Sequence, residues 1–145
     1  MIYTPLTAKA MKIAYDAHVG QFDYCGVPYI FHPIHLAEQM TDEYSCAVAL
    51  LHDVVEDTAI TLDDLARDFP SEVVEGVRCM THLDGVDYYE YVRALKGNPI
   101  ARAVKIADLN HNLDATRCRL AGFDKKRTEQ WREKYKKAME ILLEE

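Results

Sequence analysis

The sequence predicts an all-α protein folded as a compact multi-helix bundle. Three observations carry this expectation. Apolar residues recur at spacings of three and four along most of the chain, sustained period-two alternation is hard to find, and several helix starts carry capping residues.

Leu6, Ala10, Ile13, Ala14 and Ala17 line one face of a first helix over about residues 6–18. The stretch GQFDYCGVPYI that follows contains two glycines and a proline, so it is expected to be a loop. A short helix is predicted after Pro33, and a longer one from about Asp42 to Val55. Thr61 with Asp64 three residues on resembles a capping arrangement, and Ser71 opens SEVVEGVRCM in similar fashion. Asn98 followed by Pro99 joins a favoured N-cap to a favoured first helical residue, and the helix it starts is expected over about 99–117. The last helix lies in DKKRTEQWREKYKKAMEILLEE, where Trp131, Tyr135, Met139 and Leu142 form an apolar stripe read as core packing, and the charge run as a solvated face. No internal repeat, linker or low-complexity tract interrupts the series.

Length and charge narrow the function. A chain of 145 residues with 49% hydrophobic content fits one domain, 1–145. Lys and Arg total 17 against 24 Asp and Glu, a net charge of −7, which argues against nucleic-acid and membrane partners because these are met with basic faces. Cys25, Cys46, Cys79 and Cys118 are far apart in sequence and the N-terminus lacks a signal-type apolar core, so a reduced, cytoplasmic setting is expected, with Cys46 and Cys79 as small core residues.

The segment ALLHDVVEDT, 49–58, is the chemically unusual one. His52 and Glu56 are four apart, as are Asp53 and Asp57, so on a continuous helix they would form two polar columns about 100° apart. The apolar run from Ala47 to Leu51 and the pair Val54 and Val55 leave little solvent-facing arc, so the four groups are expected to face an interior cleft. Carboxylates converging there need a cation. His32, just after an aromatic loop, and Asp108, inside the apolar helix of AVKIADLNHNL, are candidates to complete the set. Two His and two Asp suit a divalent transition ion with positions left open for water and substrate.

Five motifs run in order across most of the chain: AHVGQ (17–21), GVPYIFHP (26–33), ALLHDVVEDT (49–58), MTHLDG (80–85) and AVKIADLNHNLD (103–114). On these the chain resembles the HD-domain metal-dependent phosphohydrolases, and within them the hydrolase domain of the RelA/SpoT alarmone enzymes and their small stand-alone relatives. The resemblance implies an HD-domain bundle over residues 1–145. It implies His32, His52, Asp53 and Asp108 as metal ligands, Glu56 and Asp57 as the catalytic acid pair, and Asn112 as a nucleoside contact. It also implies manganese, or another divalent transition ion, as cofactor and a small-molecule nucleotide as partner. The implied reaction removes the 3′-pyrophosphate of guanosine tetra- or pentaphosphate, leaving GDP or GTP.

The chain departs from that family in the loop after AHVGQ, where Asp23 and Tyr24 stand in place of a common basic pair. An acid there repels phosphate, so cations elsewhere are expected to offset it. Arg93 and Lys96 are the candidates, with Arg102 and Lys105 nearby, and Tyr24 is a candidate for stacking on a base. Two alternatives keep the same centre: hydrolysis of a different, less charged nucleotide, or a metal-stabilised nucleotide-binding regulatory module with little turnover. The oligomeric state is not written in the sequence.

Overall fold

Helices begin where short polar side chains can accept the free N–H groups of a first turn. A computed structural model describes residues 1–117 and 125–144, and its described residues form nine helices and no strand. Thr4 caps α1 (Pro5–Ala17) in a reciprocal arrangement with Thr7. Helix α2 (Phe31–Glu38) starts before Pro33 rather than after it, because a proline is tolerated in the first turn, where its missing N–H has no intrahelical partner to lose. Asp42 accepts the Ser45 N–H at 2.8 Å and opens α3 (Glu43–Leu51).

The helix expected to continue to Val55 ends at Leu51. The chain turns through His52 and Asp53, with Asp53 at φ −109° and ψ 0°, and resumes as α4 (Val54–Asp57). Apolar spacing does not reveal the break, because Leu51 before it and Val54 after it are buried in the same core.

Thr61 and Asp64 form the anticipated capping box of α5 (Leu62–Ala66). In α6 (Ser71–Met80) Pro70, not Ser71, occupies the cap position. Helix α7 (Tyr88–Leu95) was not anticipated; Asp87 caps it, and Tyr91, Val92 and Leu95 are its buried face. Asn98 and Pro99 start α8 (Pro99–Leu113) as read from the sequence. It stops short of 117 because the Asp114 side chain accepts from both the backbone N–H and the hydroxyl of Thr116, an alternative to continuing the helical ladder. Helix α9 (Lys125–Leu143) closes the fold against α7 and α8.

The centre of the core is α3, where Cys46 through Leu51 are fully buried between α1, α2, α6 and α8. Helix α6 comes close to α3 at Gly76, where an added Cβ would lie 2.8 Å from Val48 Cγ2. Overpacking costs about 1–3 kcal/mol and alanine returns about 1 kcal/mol of helix propensity, so Gly76→Ala is expected to be net destabilising. Thermal melting should show a lower Tm, and an unchanged Tm would mean that α6 can shift without cost.

Cys46 is buried and Cys79 half-buried, both free, in line with packing roles. Cys25 is disulfide-bonded, against the expectation of reduced thiols; sequence separation says nothing about which cysteines a fold brings together. Cys118 lies outside the described residues. No described helix is long and apolar enough to cross a membrane.

Candidate metal and catalytic site

The break between α3 and α4 directs His52 and Asp53 into a space bordered by the first turn of α2 and the middle of α8. His32 enters from α2 and Asp108 from α8. His32 Nε2 lies 2.8 Å from Asp108 Oδ1, His52 Nε2 lies 2.9 Å from Asp53 Oδ2, and the two pairs are linked by a 3.9 Å approach of His52 Nε2 to Asp108 Oδ1. Ligand atoms of His32, His52 and Asp53 lie within 4.8 Å of one another.

The two imidazoles are oriented from behind. His52 Nδ1 donates to the Ala49 carbonyl at 2.7 Å, which leaves the Nε2 of the neutral ring with a lone pair facing the cluster. That Nε2 is buried and has no hydrogen-bond partner despite its closeness to Asp53. His32 Nδ1 lies 2.6 Å from His111 Nδ1, and the rings stack. Burial is the largest cause holding His111 down to about 3, with Arg117 and His32 adding to it, so His111 stays neutral and can accept from His32.

Burial disfavours charge on His52, but Asp53 and Asp108 outweigh it and raise the imidazole to about 9. Burial likewise opposes the Asp53 carboxylate, and His52 more than offsets it, lowering Asp53 to about 2. The cluster therefore favours positive charge on the very nitrogen that has no partner. An orphaned buried nitrogen among carboxylates fits a divalent cation, and His32, His52, Asp53 and Asp108 are the residues present to hold one.

Asp108 is also gripped on its outer side. Lys105 Nζ meets its Oδ2 at 2.9 Å and Asn112 Nδ2 meets its Oδ1 at 3.2 Å. Burial opposes ionisation of Asp108, yet Lys105 and His32 hold it well below the usual carboxylate range.

Glu56 and Asp57 stand on the open side, with carboxylate oxygens within 4.8 Å of Asp53. The backbone N–H of His82 donates to Glu56 Oε1 at 2.7 Å and fixes its direction. Desolvation at the cleft wall raises Glu56 and Asp57 above ordinary carboxylates, and the neighbouring Asp53 adds to both shifts. These groups share a cleft of about 430 Å³, also lined by Tyr24, Asn112 and Arg117. That size suits a small organic ligand.

No protein-family model matches the chain. It is 33% identical over 72% of its length to the bifunctional (p)ppGpp synthase/hydrolase SpoT of Escherichia coli (strain K12), and 34% identical over 77% to a probable GTP pyrophosphokinase of Mycobacterium leprae (strain TN). Among solved structures it is similar to a metazoan ortholog of SpoT described as hydrolysing ppGpp. There the TM-score is 0.80 and the identity 27%, with 99% of this chain and 88% of that chain covered. The chain belongs to the HD-domain, ppGpp-hydrolase-like family. It spans only 17% and 16% of the lengths of the Escherichia coli and Mycobacterium leprae relatives.

Within this HD-domain frame, the structure brings together His32, His52, Asp53, Asp108, Glu56, Asp57 and Asn112. It corrects the substrate cations. Arg93 and Lys96 do not line the cleft, because α7 turns Tyr88 and Tyr91 toward it and Arg93 falls on the exposed side. Arg102 instead donates to the Leu142 carbonyl at 2.8 Å and 2.6 Å. The lining cations among the described residues are Lys105, Arg117 and Lys134.

Asp23 also has a different part from the one read in the sequence. Its Oδ2 pairs with Arg117 at 2.8 Å, and its Oδ1 accepts the backbone N–H groups of Cys25 and Val27. Tyr24 lines the cleft with its ring 4.7 Å from that of Trp131, so the stripe on α9 is not core packing alone. Tyr29, whose hydroxyl donates to Asp53, and His82, whose backbone holds Glu56, were not assigned from the sequence. Both lie inside quoted motifs, GVPYIFHP and MTHLDG, and that was the one signal available.

Proposed function

We propose that this chain is a manganese-dependent pyrophosphohydrolase of one domain that removes the 3′-pyrophosphate of guanosine tetra- or pentaphosphate, leaving GDP or GTP. The observation that carries it is the meeting of His32, His52, Asp53 and Asp108 with Glu56 and Asp57 in one cleft. The substrate is supported by the relatives, several of which are named as guanosine-3′,5′-bis(diphosphate) 3′-pyrophosphohydrolases.

His32, His52, Asp53 and Asp108 would hold a divalent ion, which when bound would supply Lewis-acid polarisation of a phosphoryl group. Glu56, aimed by the His82 N–H and made more basic by its surroundings, takes a proton from the attacking water. The water oxygen bonds to the phosphorus of the 3′-group while the bond from that phosphorus to the nucleotide's 3′-oxygen breaks. The 3′-oxygen receives the proton that Glu56 took from the water and leaves as a hydroxyl, and pyrophosphate departs. Asp57, on the same turn, orients the water, and Asn112, one turn beyond Asp108, contacts the nucleoside.

The test is a panel of nucleotides incubated with the manganese-loaded protein, scored for pyrophosphate against orthophosphate. The expected result is pyrophosphate from guanosine 3′,5′-bis(diphosphate). Orthophosphate from a nucleotide with a single phosphate would replace this reading with a phosphatase, and binding without turnover would replace it with a regulatory module.

A further inference from the structure

The cations that line the cleft are not equivalent. Lys105 is spent on Asp108, its Nζ 2.9 Å from Oδ2. Arg117 is spent on Asp23 and also donates to the His111 carbonyl at 3.0 Å. Lys134 projects from α9 and forms no ion pair with any described residue. Its ammonium instead sits 4.1 Å from the centroid of the Tyr88 ring on α7, a cation-π contact that positions the charge without neutralising it.

We propose that Lys134 is the specificity-determining cation that receives a second phosphate group of the nucleotide, remote from the one being hydrolysed. This rests on the reading of the site as a nucleotide hydrolase. The acidic residues that converge on the reacting end, Asp53, Glu56 and Asp57, repel any phosphate not matched by a cation. The remote phosphate therefore needs an unspent positive charge, and Lys134 has one. Asp23 does not oppose it, because its carboxylate is neutralised by Arg117. Recognition of that phosphate is thus carried by the C-terminal helix, in place of the loop after residue 21. Resting on the Tyr88 face, the lysine loses less side-chain freedom on binding than a free surface lysine would.

Calorimetric titration of guanosine 5′-diphosphate, which carries only the remote phosphates, into the manganese-loaded protein tests this directly. Lys134→Gln is expected to weaken binding by about tenfold to a hundredfold, the cost of one charge-assisted contact. Guanosine binding should be unchanged by it, and Lys134→Arg should recover most of the loss. Equal affinity for the diphosphate in wild type and Lys134→Gln, or an equal loss for guanosine, overturns the proposal. Turnover of guanosine 3′,5′-bis(diphosphate), measured alongside, separates the two readings. A protein that hydrolyses nothing but binds the diphosphate through Lys134 refutes the hydrolase and supports this role. One that hydrolyses with an unchanged KM in Lys134→Gln does the reverse.

Discussion

Asp108→Ala is expected to abolish tight metal retention and to destabilise the fold by about 3–5 kcal/mol, the cost of stranding one partner of a buried ion pair. The size follows from what the carboxylate holds. Its side chain is 9% exposed, that of Lys105 is 10% exposed, and they meet at 2.9 Å. Removing the acid leaves an ammonium in the core and takes the 2.8 Å partner from His32 Nε2. Denaturant unfolding with and without manganese measures both losses, because an ion that binds only the native state stabilises by mass action and that increment should vanish. The double variant Asp108→Ala, Lys105→Met separates the causes, since it should regain much of the stability but not the metal. A single variant that keeps stoichiometric metal would remove Asp108 from the ligand set.

Glu56→Gln is expected to fold, to retain metal and to lose turnover by about two to four powers of ten, the usual worth of a positioned general base. The amide keeps the side-chain length and still offers an oxygen to the His82 N–H, so the geometry of α4 has no reason to change. What it cannot do is accept a proton. The loss should therefore fall on kcat and little on KM. Metal analysis and steady-state kinetics on the same preparation check this, and undiminished turnover would move proton acceptance to Asp57.

The break at His52 and Asp53 shows where reading the sequence stopped. The residue types were legible, because acids inside an apolar run need a counter-charge wherever they point. Their arrangement was not. A continuous helix would have set them in two columns, whereas the turn after Leu51 lets His52 face Asp53 and Asp108 together while Glu56 and Asp57 sit on the open wall. Helix α7 was not anticipated for a related reason: the buried spacing of Tyr91, Val92 and Leu95 emerges only against its neighbours.

The cations mark the same boundary. Arg93 and Lys96 were reasonable by proximity in sequence, yet helix rotation points Arg93 to solvent and leaves both outside the cleft. Asp23 read as a repulsive acid because its partner, Arg117, is 94 residues away. Lys134 was indistinguishable from the other lysines of a charged helix until α9 was seen packed beside Tyr88.

By itself the sequence determined the all-α class, the helix starts at Leu62 and Pro99, and the residue types at the candidate centre. These depend on local matters: the spacing of apolar side chains, the capping of free N–H groups, and the cost of an uncompensated acid. Only the tertiary structure decided which charges neutralise one another, which of the described cations lining the cleft has no ion pair with a described residue, and which way each imidazole presents its lone pair. Such facts depend on distances between elements far apart in the chain, and a Coulomb or hydrogen-bond energy is set by that distance rather than by sequence order.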